Sequence, residues 1–171
     1  LAFAAGIRNW HGEVRETFGL PLAALPRKGR PVRFAPPPTP APAAPQEVAA
    51  ILERSARNPL GIPEPSGADA ERLFAAFAPV FEIDVATEED RIGSPAWSDA
   101  PLPSVDTKRP AVYRLLSHTR ADGKTLLQLN YVIWFPARPK TSAWDILGGP
   151  FDGITWRVTL APDGRPWVYD T

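Results

Sequence analysis

The chain has 171 residues, 44% of them hydrophobic, and its 19 Lys and Arg residues balance 19 Asp and Glu. This length and apolar content suffice for one core with attached segments and exclude a disordered chain, while zero net charge argues against a general nucleic-acid binder, whose affinity comes from basic side chains on phosphates. The absence of Cys excludes disulfides and thiolate metal sites.

Charge is uneven along the chain. Residues 1–34 carry six Lys/Arg against two Asp/Glu, residues 46–109 six against twelve, and residues 110–171 seven against five. The acidic middle reads as a solvated face, the usual role of a charge run, rather than as a dock for the basic start. Met is absent, even at position 1, which suggests a trimmed piece of a longer protein. The apolar Leu1 to Gly6, followed by Arg8, matches the tail of a removed signal peptide or membrane helix. No run approaches the roughly 20 apolar residues that a spanning helix needs.

Ile7, Trp10, Val14 and Phe18 fall at helical spacing, so residues 7–18 are expected to form a short amphipathic helix, weakened by Gly12. Residues 36–45 contain six prolines, which excludes helix and central strand and favours an extended polyproline II spacer. Three parts follow: an N-terminal amphipathic segment (1–34), a proline-rich linker (35–45) and an α+β domain (46–171). Pro45 and Glu47 suit a helix N-terminus, Val48, Ile51, Leu52 and Ser55 mark one stripe, and Asn58-Pro59 ends it. Ser66 to Asp69 resembles a capping box with Asp in place of Glu, ahead of a buried stripe of Ala70, Leu73, Phe74 and Phe77 that Pro79 stops.

Alternation then replaces helical spacing. Phe81, Ile83 and Val85 alternate with Glu82, Asp84 and Ala86, predicting a half-buried strand over 80–86. The next 23 residues, rich in Pro, Asp and Ser, read as a long loop. Residues 111–135 read as a β-hairpin closed by Asp122-Gly123, because both central residues of a type I′ turn need positive φ. Gly148 to Gly153 reads as a turn, and Ile154–Leu160 with Pro166–Asp170 as a second hairpin around Pro162-Asp163-Gly164.

Counting outward from a two-residue loop pairs Val112 with Ile133, Arg114 with Tyr131, Leu116 with Leu129 and His118 with Leu127 on a core side. The opposite side pairs Ala111 with Trp134, Tyr113 with Val132, Leu115 with Asn130 and Ser117 with Gln128. A three-residue loop in the second hairpin pairs Val158 with Val168 and Trp156 with Asp170 on one face, and Arg157 with Tyr169 and Thr159 with Trp167 on the other. Gln128, Asn130, Trp134, Arg157, Trp167 and Tyr169 then share one uncovered face, where aromatic planes beside amide and guanidinium donors suit a sugar, a peptide or an unstacked base. The competing expectation is that these aromatics pack beneath the Pro-rich N-terminal segment.

Catalytic signals are sparse. Glu82 and Asp84 emerge on one strand face about 6 to 7 Å apart, a separation an inverting glycosidase uses and any solvated strand face also shows. Asp84, Glu88, Glu89 and Asp90 lack EF-hand spacing. Only His11 and His118 are present, without a zinc motif. Ser117 and His118 point to opposite faces of one strand, which defeats a Ser-His-Asp triad with Asp122. Gly123-Lys124-Thr125 sits in a hairpin rather than at a helix start, which excludes a P-loop. No cofactor and no metal are expected.

Gln128 to Pro136, Asp152 to Val158 and Asp163-Gly164 together resemble segments of an uncharacterised bacterial (proteobacterial) family, over residues 110–171. The resemblance implies a periplasmic or envelope location and a continuation beyond Thr171 into a segment with Cys and His; no activity comes with it. The fold expected is α+β: two helices packed on an antiparallel sheet of about five strands. The function expected is a non-enzymatic binding or interaction module for a protein, peptide or glycan. Alternatives are part of a hydrolase using Glu82, Asp84 or His118, and a structural domain of an envelope assembly, with Trp167 to Asp170 as an edge for strand pairing.

Overall fold

A computed structural model describes residues 20–36, 43–97, 102–140, 142 and 145–171. The expected helix over 7–18 and most of the proline-rich stretch lie outside them. None of the described helices is long and apolar enough to cross a membrane.

Two helices form where caps and apolar stripes placed them. Helix α1 (Pro45–Arg54) opens with Pro in its first turn and buries Val48, Ile51 and Leu52. It stops before Asn58 because the Ser55 hydroxyl turns back to donate to the Ile51 carbonyl at 2.7 Å. Asn58 instead accepts from the Leu60 and Ile62 amides, folding a small hairpin of β2 (Ala56–Arg57) and β3 (Pro63–Glu64). In α2 (Gly67–Ala76) the Ser66 hydroxyl accepts from the Asp69 amide at 3.2 Å, and Leu73 and Phe74 are buried. Ion pairs Arg54–Asp69 and Glu47–Arg72 clasp the two helices.

The helices cover one face of a four-stranded antiparallel sheet in the order β10 (Pro166–Asp170), β9 (Gly149–Leu160), β8 (Lys124–Arg138), β7 (Tyr113–Ala121). Their apolar stripes meet Leu127, Leu129 and Tyr131 of β8 and Val158 and Leu160 of β9. Tyr131 locks the two layers: its hydroxyl donates to the Phe74 carbonyl at 2.8 Å, and its ring meets Phe74 edge-on at 5.6 Å.

Several expectations need correction. Among the described residues, the expected five-strand sheet is a four-stranded sheet, with three separate two-stranded pairs beside it. Strand β4 (Phe81–Val85) forms as predicted but pairs with β1 (Arg30–Phe34), not with the main sheet. Asp84 holds this arrangement by accepting from the Lys28 and Gly29 amides at 2.6 and 3.0 Å. The long loop is partly structured: it contains a 3-10 turn at Glu88–Asp90 and pairs β5 (Ser94–Ala96) with β6 (Ser104–Asp106). The turn expected at 148–153 is the start of β9, paired to Arg138 and Ala137.

Candidate functional site

The first hairpin has the predicted register from Tyr113–Val132 to Ala121–Lys124, with Asp122 at φ 49° and Gly123 at φ 73°. The second does not. Pro166 pairs with Leu160, but a β-bulge at Trp167 shifts the register, so Val168 pairs with Thr159, Tyr169 with Val158 and Asp170 with Arg157. A one-residue slip reverses every side chain beyond it. Tyr169 therefore lies on the helix-side face, stacked on Trp156 at 5.6 Å, and not beside Gln128 and Asn130.

The amides expected to face a ligand are used within the sheet. Asn130 and Gln128 are only 3% and 9% exposed. Ser117 Oγ donates to Gln128 Oε1 at 3.0 Å, and Gln128 Nε2 donates to Thr159 Oγ1 at 3.0 Å. Asn130 Nδ2 reaches the Leu115 carbonyl and Ser117 Oγ, while its Oδ1 accepts from Arg157 Nε at 2.9 Å. Arg157 Nη1 then meets Asp170 at 3.0 Å. This polar ladder ties all four strands together. Trp134 is at the far end of the same face, half-buried, 4.6 Å from the Phe151 ring. Trp167 stands apart, exposed at the bulge. The six expected residues thus divide into a satisfied ladder (Gln128, Asn130, Arg157), a half-buried ring pair at Trp134, and two exposed aromatics on the outer strand.

The carboxylates weighed for catalysis have structural partners. Glu82 lies 3.7 Å from Arg27, and Asp84 caps the entry to β1. Asp90 accepts from the Ala86 and Thr87 amides and the Thr87 hydroxyl; burial pushes its carboxyl up, and these hydrogen bonds outweigh that to leave it below the usual range. His118 sits on β7 opposite Leu127, on a different sheet from Glu82 and Asp84.

Sequence reasoning missed the surface that the topology creates. On the side expected to be core, the β8 residues Leu127, Leu129, Tyr131 and Ile133 are buried, but β7 is an edge of the sheet and its Arg114, Leu116 and His118 are exposed. Among the described residues no strand pairs with its outer side. The hairpin rule makes Ala121 and Lys124 a mutually hydrogen-bonded pair, so the odd-numbered residues of β7 bond to β8 and the amides of Arg114, Leu116, His118 and Arg120 point outward. Nine residues long, β7 exposes Tyr113 (41%), Leu115 (49%) and Leu116 (36%). Edge strands of that length and apolarity normally invite pairing.

Beside the N-terminal end of β7 lies a cleft of about 720 Å³. Phe74 and Ala75 of α2, with Ala78 just beyond its end, form one wall, Phe34 of β1 another, with Tyr131 and Ile92 beneath and Val112 at the entrance to β7. Burial pushes the Tyr131 hydroxyl up, keeping this floor neutral. Arg114 spans the cleft from β7 to α2, 3.0 Å from Glu71 and 5.3 Å above the Phe74 ring. The alternating run Tyr113–Ala121 signals a strand, but which strand ends at an edge depends on the order in which distant segments pair.

Comparison with known proteins returns no match: no family model, no curated protein and no solved structure is similar to this chain. The functional reading therefore rests on this geometry.

Proposed function

We propose that the domain is a non-enzymatic interaction module that receives an extended polypeptide segment on a free edge of its four-stranded sheet. The observation that carries this reading is the nine-residue edge strand β7, with outward amides and exposed Tyr113, Leu115 and Leu116, bordered by an apolar cleft. Main-chain hydrogen bonds would supply the affinity, and side-chain sites beside the edge the selectivity. At its N-terminal end the edge meets a cleft whose size accommodates a large apolar side chain.

The opposite edge supports a second, smaller docking position. Strand β10 is five residues long and exposes Trp167 and Tyr169, each at 53%. Aromatic anchors of that kind contribute strongly at interfaces.

NMR titration of the labelled chain with an uncharged strand-forming probe, acetyl-Thr-Val-Thr-Val-Thr-Val-amide, tests the reading. Amide shifts concentrated on Arg114, Leu116, His118 and Arg120, with smaller ones at β10, are expected. An unchanged spectrum at both edges would remove the basis for it.

A further inference from the structure

Resting on that reading, we infer that the occupant of β7 is a segment of a different polypeptide in which acidic and apolar residues alternate. Strand β7 carries Arg114, Leu116, His118 and Arg120 on its helix-side face and holds no carboxylate along its length. An added strand lines its side chains up with those of the edge on each face, so opposite charges across the pair stabilise it and like charges oppose it. Acidic residues are called for toward the hairpin end, opposite Arg120 and its same-face neighbour His118. On the other face, Tyr113 and Leu115 are followed by Ser117 and Thr119, so apolar residues suit the alternate positions.

Two observations locate this preference on β7. Arg120 makes no ion pair among the described residues, whereas Arg114 is matched by Glu71 and Arg33, on the cleft wall, faces Glu82 across its own pair. The attraction is therefore strongest toward the hairpin end, and the cleft end favours an apolar side chain. The same charges disfavour a second copy of this chain. Two β7 strands paired about Ser117 by two-fold symmetry would set Arg114 opposite Arg120 twice, a like-charge juxtaposition that blunts self-association at an exposed edge.

Fluorescence anisotropy with the full chain and two labelled peptides decides the matter: Glu-Val-Glu-Leu-Glu-Val and its charge-reversed form Lys-Val-Lys-Leu-Lys-Val. The acidic peptide is expected to bind about tenfold tighter, to weaken as salt rises, and to lose its advantage in Arg120→Glu. Leu116→Pro, which removes one outward amide while leaving the β8 ladder intact, is expected to abolish binding of both. Equal binding of the two peptides, still lost in Leu116→Pro, would overturn the acidic preference and leave the edge reading standing. Binding of neither, or binding indifferent to Leu116→Pro with circular dichroism unchanged, would overturn both. Sedimentation showing a dimer that Leu116→Pro dissociates would make the occupant a second copy and overturn the inference.

Discussion

Asp170 reaches Arg157 at 3.0 Å because Trp167 bulges out of β10 and turns every later side chain to the opposite face. The pair ends a ladder that begins at Ser117 on the other edge strand and passes through Asn130. Its outer end is half-exposed, and its centre is buried.

That gradient sets the order of two substitutions. Asp170→Ala removes a partly solvated ion pair and is expected to cost less than about 1 kcal/mol. Asn130→Leu strands Arg157 Nε and the Leu115 and Ser117 acceptors beneath a buried apolar group, and is expected to cost about 2 kcal/mol or more. Urea unfolding with unchanged m-values checks both; equal costs would mean the ladder is not a buried network.

Tyr131→Phe deletes the hydroxyl that donates to the Phe74 carbonyl and is expected to cost about 1 kcal/mol at neutral pH. It also changes the alkaline limb. Burial raises the folded hydroxyl above its unfolded value, so this group's contribution is complete below about pH 10 and is lost as the unfolded chain ionises above it. The variant is expected to lose less stability above pH 10 than the parent. Parallel alkaline curves would contradict a buried, neutral Tyr131.

Gly164 is buried at φ 81°, and a Cβ there would run into the Pro45 carbonyl at the start of α1. Gly164→Ala therefore combines left-handed strain with a backbone collision and is expected to cost about 2 kcal/mol or more, read as a fall in thermal midpoint. Gly123→Ala, at φ 73° but with open space around it, is expected to cost less than Gly164→Ala.

The helix clasp predicts the acid limb. Hydrogen bonding from Arg54 holds the Asp69 carboxyl below its ordinary value, and Arg72 does the same for Glu47. Both folded values are depressed, so their contribution is present above the ordinary carboxylate range and is lost as pH falls through it. The double variant Asp69→Asn, Glu47→Gln is expected to show a shallower decline in stability from pH 5 to pH 2. High salt is expected to shrink the difference, since both pairs face water.

The elements dominated by local chemistry were legible in the sequence: the Asp122-Gly123 turn with its register, the Ser66 cap, and the stripes through Ile51 and Leu73. What escaped depended on distant pairing or on one inserted residue. Arg30-Pro31-Val32-Arg33-Phe34 carries Pro and two Arg, and its strand character comes from pairing with β4 and from Asp84 holding Gly29. The Trp167 bulge leaves no pattern that a turn count detects, yet it moved Tyr169 to the other face. Gln128 and Asn130 were read correctly onto one face, but the hydroxyls of Ser117 and Thr159 turn their amides inward.

Residue-resolved amide hydrogen exchange of the free chain along β7 tests directly whether its outer side is unpaired. An open edge predicts alternation, with Tyr113, Leu115, Ser117 and Thr119 protected by β8 and Arg114, Leu116, His118 and Arg120 exchanging fast. Uniform protection along the strand would mean that its outer side is already paired, and would contradict an edge open to a partner.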